Sequence, residues 1–278
     1  MVLMNSDIRI TILLDNAASK PGLLTEHGLS LWIEYKEKRI LFDTGQSNKL
    51  IQNAKKLGVN LAKTDAIILS HGHYDHTGGL SAVLELAPHA VIYIHPAAIK
   101  PKYSCKEFKI RSIGMPEAAK QAIKNYKVVW TEKPLQLCNG VTLTGQIPRK
   151  NDFEDVGGAF FVDENCHTPD GLLDDQALFI ESPNGLIVVF GCAHSGVINT
   201  LDYVNQLSNQ SRIYAVLGGM HLVNASKDRM ERTIEAFKSY DIEKIIPLHC
   251  TGSEAIEHLR ESFSGKCVCY DNNPDICF

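Results

Sequence analysis

Ala66-Ile67-Ile68-Leu69-Ser70-His71-Gly72-His73-Tyr74-Asp75-His76 is the stretch that decides how this chain is read. A short apolar strand, Ala66 to Leu69, runs directly into three imidazoles and a carboxylate within six residues. Imidazole and carboxylate are the usual ligands of zinc, iron or manganese in catalytic sites. Gly72 allows the tight backbone path that such a cluster needs. Ligands spaced i, i+2, as His71 and His73 are, can serve one ion while Asp75 and His76 serve a second. A surface loop that is histidine-rich by chance would rarely produce His-x-His-x-Asp-His at a strand end. The stretch therefore predicts half of a metal site.

One segment cannot complete two coordination shells, so other strand ends must contribute. His194 lies in Phe190-Gly191-Cys192-Ala193-His194-Ser195-Gly196, directly after an apolar strand. His221 follows Val216-Leu217-Gly218-Gly219-Met220, and His249 follows Ile245-Ile246-Pro247-Leu248. A lone histidine is more often a surface or core residue, but three in one topological position point to a shared site. His27, His95 and His167 fall in loops as pocket candidates, while His258 sits on a helix and is expected to be solvated.

Outward from the signature, the pattern is ordered. Ile8 to Leu14, Leu29 to Tyr35 and Ile40 to Phe42 read as strands, with Lys36 to Arg39 a hairpin turn. A helix follows through Leu50, Ala54 and Leu57, with Ser47 as N-cap and Gly58 as stop. After the signature comes an apolar helix through Leu80, Val83, Leu84 and Leu86, then a strand at Val91 to Ile94. Beyond a less regular middle, Ala177 to Glu181 and Leu186 to Phe190 form a hairpin around Pro183-Asn184-Gly185. The last third alternates helix and strand, and its final helix carries a capping-box pattern, Thr251 with Glu254. Antiparallel strands followed by strand–helix alternation predict an α+β fold of two packed sheets with helices outside. No repeat or Gly/Ser/Pro linker interrupts the chain, so residues 1–278 read as a single domain.

Composition narrows the function. With 44% hydrophobic residues and a net charge of −4, the chain reads as a globular enzyme and not as a nucleic-acid binder. No apolar run approaches the roughly 18 residues of a membrane span. The N-terminus, with Asp7 and Arg9 inside it, reads as a strand and not as a signal peptide, so a cytoplasmic location is expected. The eight cysteines are then read as reduced thiols, and none forms a Cys-x-x-Cys pair. Cys267, Cys269 and Cys277 are read as free thiols in preference to a metal cluster.

At this point the sequence resembles the metallo-β-lactamase superfamily. The residues that carry the resemblance are Ile40-Leu41-Phe42-Asp43-Thr44-Gly45, the signature His71-x-His73-x-Asp75-His76 with Thr77 to Leu80, and the later strand-end histidines. It implies a four-layer αβ/βα sandwich with two metals along one edge. It further implies His71 and His73 on one metal, Asp75 and His76 on the other, and Asp43 steadying the ligand loop from behind. His194 and His249 are expected to complete the ligand set, with Asp175, Cys192 and His221 as further candidates. Cys192 departs from the family pattern, which places a bridging aspartate after this glycine.

The phrases Asp174-Asp175-Gln176-Ala177-Leu178, Gly218-Gly219-Met220-His221-Leu222 and Pro247-Leu248-His249-Cys250-Thr251-Gly252 resemble a narrower group. It contains the archaeal dihydropterin-methyl-ribofuranosylaminobenzene-phosphate synthase and bacterial relatives. The resemblance implies two divalent metals, zinc first, with iron, manganese and magnesium as alternatives. It implies action on a small anionic substrate, phosphorylated or pterin-like. The reaction is either hydrolysis by a metal-bound hydroxide or transfer with displacement of diphosphate, with Asp75 as the catalytic group. Arg149, in Ile147-Pro148-Arg149, is the expected substrate-binding cation, and the basic run from Lys100 to Arg111 is a weaker candidate. The partners expected are the small anionic molecule, no nucleic acid and no membrane, with a homo-oligomer left open. Two other readings remain: a di-iron redox protein, although 278 residues leave no room for a flavin domain, and a metal-free binding or sensing module.

Overall fold

Successive strand residues point to opposite faces, and the strand before the histidine segment shows the consequence. In the computed structural model, which describes residues 8–106, 109–209, 211–268 and 273–278, Ala66 and Ile68 lie in a core between two sheets. Ile67 and Leu69 lie in a different core, between their own sheet and its helices. On the facing sheet Leu186, Val188 and Phe190 divide from Ile187 and Val189 in the same way. Strands buried on both faces read as continuous apolar runs, which is how these stand in the sequence.

The first sheet contains β1 (Ile8–Leu14), β2 (Ser30–Tyr35), β3 (Lys38–Phe42), β4 (Ala66–Ile68), β5 (Val91–Ile94), β8 (Val128–Trp130) and β16 (Asp275–Cys277), in the order β16-β1-β2-β3-β4-β5-β8. The second contains β9 (Leu135–Cys138), β10 (Val141–Leu143), β12 (Leu178–Ser182), β13 (Gly185–Phe190), β14 (Ile213–Gly219) and β15 (Lys244–Leu248), in the order β15-β14-β13-β12-β10-β9. The short helix α2 (Tyr74–Thr77) carries Asp75 and His76, while α1 (Lys49–Lys56), α3 (Leu80–Leu86) and α4 (Glu117–Ile123) bury Leu50, Leu80, Val83 and Ala119 against the first sheet. Helices α5 (Val197–Leu207), α6 (Lys227–Ser239) and α7 (Ser253–Ser262) bury Val197, Leu201, Met230 and Leu259 against the second. The result is the expected α+β class, a four-layer αβ/βα sandwich. No helix among the described residues is long and apolar enough to cross a membrane.

Three details differ from expectation. Asn48, not Ser47, is the N-cap of α1; Ser47 Oγ still accepts from Lys49 N at 3.3 Å. The capping box at α7 does not form, because Gly252 takes the N-cap at φ 85° and the Thr251 hydroxyl donates instead to Leu248 O at 2.7 Å. The irregular middle holds a small third sheet of β6 (Tyr103–Lys106), β7 (Lys109–Ser112) and β11 (Phe160–Phe161), ordered β11-β6-β7. Met1 to Asp7, Glu107 and Cys269 lie outside the described residues.

The topology fixes where a site can be. Strands β3, β4 and β5 are parallel, as are β13, β14 and β15. Crevices outside the carboxyl ends of parallel strands are where ligands bind in such sheets. Asp43 follows β3, the signature follows β4, and Cys192, His221 and His249 follow β13, β14 and β15.

Candidate metal centre

The histidines at these strand ends share one arrangement: one ring nitrogen is tied to the protein and the other faces inward. His76 Nδ1–H donates to Asp43 Oδ2 at 2.6 Å, and His194 Nδ1–H donates to Val156 O at 2.8 Å. His249 Nδ1–H donates to Asn16 Oδ1 at 2.8 Å, and His221 Nε2–H donates to Gly157 O at 3.2 Å. His71 Nδ1 lies 2.9 Å from Ser70 Oγ, whose own proton goes to Asp43 Oδ2 at 2.7 Å. The serine must therefore accept from His71. Such partners fix the tautomer and present the other nitrogen as a lone pair. This is the arrangement in which histidine ligates metal.

The inward atoms converge. His71 Nε2 lies 2.9 Å from His73 Nδ1, near the ~3.3 Å edge of a tetrahedron with ~2.05 Å metal–nitrogen bonds. The His194 ring stands 4.8 Å from His71 and 4.9 Å from His73. On the other side, His76 Nε2 lies 3.2 Å from His249 Nε2, and Asp75 Oδ2 lies 3.3 Å from His249 Nε2 and 3.6 Å from His76 Nε2. Cys192 Sγ, 3.2 Å from His76 Nε2, belongs to both the His71–His194 group and the His76–His249 group. It thus occupies the place between the two halves.

Protein atoms alone do not satisfy this cluster. His73 Nε2, His194 Nε2, His221 Nδ1 and Asp175 Oδ1 are buried without a well-formed hydrogen bond. Burying unpaired polar atoms is costly, and each such atom calls for an explanation. A divalent cation fits the donor set of imidazole, carboxylate and thiol, and would supply the partner that His194 Nε2 lacks. Burial drives His71 and His194 well below the usual imidazole range and His73 down to about 3, so all three present neutral rings. Burial alone would raise Asp75, but the imidazoles that face it, His76 first and then His249 and His27, hold it well below the usual carboxylate range.

Above the cluster lies a cavity of about 190 Å³, lined by His73, Asp75, Arg111, Phe160 and His194 among others. It adjoins a second of about 530 Å³ that shares His27, His221, His249 and Cys250. The two together fall in the ~300–1,000 Å³ range of small-molecule sites. The small third sheet roofs the first cavity, with the Phe160 ring 5.3 Å from His73 and 5.4 Å from His194. Tyr74 N donates to Ile113 O at 3.0 Å, tying the signature to the end of β7.

Comparison with known proteins follows the same line. Residues 25–169 match the metallo-beta-lactamase superfamily model. The 7,8-dihydropterin-6-methyl-4-(beta-D-ribofuranosyl)-aminobenzene-5'-phosphate synthase of Methanocaldococcus jannaschii is 32% identical, over 91% of this chain and 90% of its own length. The chain belongs to the metallo-β-lactamase superfamily. An uncharacterized protein of the same archaeon is 34% identical over 91% of this chain and 94% of its own. The solved structure of Tm1679, described as a metal-dependent hydrolase of the β-lactamase superfamily, superposes at TM-score 0.84. It is 29% identical, over 98% of this chain and 99% of that one.

Within this metallo-β-lactamase site the candidates divide by placement. His71, His73, Asp75, His76, Cys192, His194 and His249 are brought together, and His221 stands beside them, its ring 4.5 Å from that of His194. Asp175 lies behind the His194 loop, its Oδ2 accepting from Ser195 N at 2.8 Å, and joins none of the metal-ligand groups among the described residues. Arg149 Nη1 donates to His194 O at 2.6 Å and Nη2 to Glu154 O at 2.9 Å, so its guanidinium braces the ligand loop and does not face the cavity. The cation at the cavity is Arg111, while Lys102 is buried in a pair with Asp170 and Asp174. His95 caps a short turn through its Nδ1.

His27, expected as a pocket residue, is one, with its Nε2 3.2 Å from Asp75 Oδ2, whereas sequence reasoning passed over Asn16, Phe160 and Cys250. Asn16 had a signal: it follows β1 as the histidines follow their strands. The backbone marks the site as well, since Asp43, Ala193, His221 and His249 all have φ between 44° and 59°. Left-handed non-glycine residues concentrate at functional sites. Gly72 serves here by close approach, because a Cβ would come 2.1 Å from Ala98 O.

Proposed function

We propose that this chain is a metal-dependent enzyme acting on a small anionic substrate, phosphorylated or pterin-like, over residues 1–278 as one domain. The observation that carries the proposal is the set of histidines pinned from behind, with orphaned buried nitrogens converging under a cavity. In this reading His71, His73 and His194 would hold one divalent ion and Asp75, His76 and His249 the other, with Cys192 placed between the two sets. Imidazole and thiolate favour zinc over magnesium. When bound, the ions supply Lewis acidity, activating a nucleophile and stabilising charge on a leaving oxygen.

The chain's own residues do the rest. Asp75, ionised at neutral pH, aligns the nucleophile's proton, and His27 at 3.2 Å, half exposed, links that carboxylate to solvent. Arg111 lines the cavity, with no carboxylate partner among the described residues, and suits a phosphate group. Phe160 offers an aromatic face to a planar ring.

With water as nucleophile the reaction is hydrolysis. With an arylamine, a new C–N bond forms at the pterin methyl carbon as the C–O bond to diphosphate breaks, and the amine releases a proton. The name of the archaeal relative, whose length this chain nearly covers, supports testing the transfer first. Wild type, Asp75→Ala and His194→Ala would be compared by elemental analysis, then assayed with a dihydropterin-methyl diphosphate with and without arylamine. We expect metal loss in both variants and diphosphate release that requires the amine. Release without amine identifies a hydrolase, and unchanged metal content in both variants sinks the ligand assignment.

A further inference from the structure

We infer that Cys192, Cys250 and His221 form a third cation position, one that takes a thiophilic ion such as zinc or cadmium with two sulfurs and one nitrogen. Cys250 and His221 lie outside the His-x-His-x-Asp-His signature. The three side chains come from neighbouring strand ends, because β13, β14 and β15 are paired in parallel register through Phe190, Gly218 and Pro247. Their ligand atoms lie within 4.8 Å of one another, with both cysteines buried.

Two glycines make room for this grouping. A Cβ at Gly219 would sit 2.4 Å from Gly191 O and 2.7 Å from Cys250 Sγ, so glycine lets both the Gly191 main chain and Cys250 close over β14. A Cβ at Gly157 would sit 2.0 Å from His221 Cδ2, so glycine is also what allows the carbonyl acceptor to approach the ring. That carbonyl takes the Nε2 proton at 3.2 Å and leaves Nδ1 as the lone pair, buried and lacking a well-formed hydrogen bond. His221 reaches this orientation only at φ 44°, a strained conformation for histidine. The Cys250 sulfur meets the Cys192 thiol and the His221 ring, the other two members of the group, and its contact with Cys192 O is 3.8 Å.

An imidazole on a strained backbone, tied by one nitrogen and within 4.8 Å of two sulfurs, is a ligand geometry. Two cysteines and a histidine with one open position is a zinc composition. Soft sulfur donors exclude magnesium and calcium as occupants. The position shares Cys192 with the centre proposed above, but its occupancy can be measured apart from any reaction.

The test uses the full chain, stripped with chelator and titrated with cadmium. It reads the sulfur-to-cadmium charge-transfer absorbance together with the bound equivalents by elemental analysis. The other cysteines contribute equally to every protein compared. We expect Cys250→Ser to bind one equivalent fewer and to lose about half of the absorbance assigned to this pair. His221→Ala should keep the band but weaken binding at this position by roughly tenfold or more. His71→Ala, which disables the signature half, should lose metal there while retaining the thiolate band. If Cys250→Ser and His221→Ala both match wild type in equivalents, affinity and band intensity, the third position does not exist. If His71→Ala abolishes the band, the sulfur signal belongs to Cys192 in the signature centre, and the inference is likewise overturned.

Discussion

Replacing Asp43 with asparagine probes the signature from behind, at the point where its two halves are joined. The carboxylate is fully buried. Its Oδ1 accepts from Ser70 N at 2.7 Å, and its Oδ2 accepts both from Ser70 Oγ at 2.7 Å and from His76 Nδ1 at 2.6 Å. One side chain therefore sets the tautomer of His76 directly and of His71 through Ser70. In Asp43→Asn the remaining oxygen stays with Ser70 N, because a main-chain N–H can only donate. The amide NH2 then faces Ser70 Oγ and His76. It donates to His76 Nδ1, which drives the ring proton onto Nε2, the nitrogen that faces His249 and Cys192. The serine hydroxyl, its acceptor lost, turns to donate to His71 Nδ1 and has the same effect there.

Losing an outer partner of this kind costs ~10–100-fold in metal affinity, about 1.4–2.7 kcal/mol. Here both halves are affected, so both binding constants should fall by that factor. Ser70→Ala breaks only the His71 branch and should weaken one constant while sparing the other. The assay is competition for zinc against a chromophoric chelator, with circular dichroism and thermal melting of the metal-free protein as controls for folding. A folded Asp43→Asn protein that binds both ions within about threefold of wild type would refute the reasoning.

Two further outcomes concern groups that support the ligand loops. Lys102, buried with Asp170 at 2.9 Å and Asp174 at 2.7 Å, holds the carboxylate that accepts from Gly72 N at 2.7 Å. Lys102→Met leaves two buried carboxylates unpaired and should cost about 3–5 kcal/mol in urea unfolding; a loss under about 1 kcal/mol contradicts the bracing role. Burial pushes Asp175 from 3.8 up to about 6, so in metal-free protein its ionisation opposes folding. That penalty is absent below the unfolded value, grows as pH rises through about 6, and is constant above, at roughly 3 kcal/mol. Asp175→Asn keeps an acceptor for Ser195 N without the charge, so it should gain stability over wild type as pH is raised from 4 to 7. Parallel stability profiles would rule the penalty out.

The four layers were readable because strand period and burial agree: residues 66–69 and 186–190 are apolar on both faces, and both faces are buried. The strand-end rule found His194, His221 and His249 for the same reason, since a parallel strand delivers the residue after it to a fixed edge. The third sheet left no such trace. All four residues of β7 are exposed, and it lies over the site and not over a core, so no periodicity marks it. Arg149 shows the limit of charge as a signal. A cation in an irregular stretch states that a charge is present but not which way it points, and two main-chain carbonyls claim this one. Arg111 and Lys102 belong to one basic run, yet Arg111 lines the cavity while Lys102 is buried among carboxylates.

Cys250 was hidden for a different reason. Beside His249 on a short turn, it reads from sequence only as one more reduced thiol, and its meaning depends on Cys192 and His221 from two other strands. Linear spacing reveals a site when one segment carries several ligands, as residues 71–76 do. When each strand supplies one donor, only the register of the sheet brings them together, and the visible signs are backbone strain and glycines too crowded to bear a Cβ. Those signs meet at His221, where φ is 44°, Gly157 approaches from one side and two sulfurs from the other. That convergence is a product of sheet register and not of linear spacing, and it is what the cadmium titration tests.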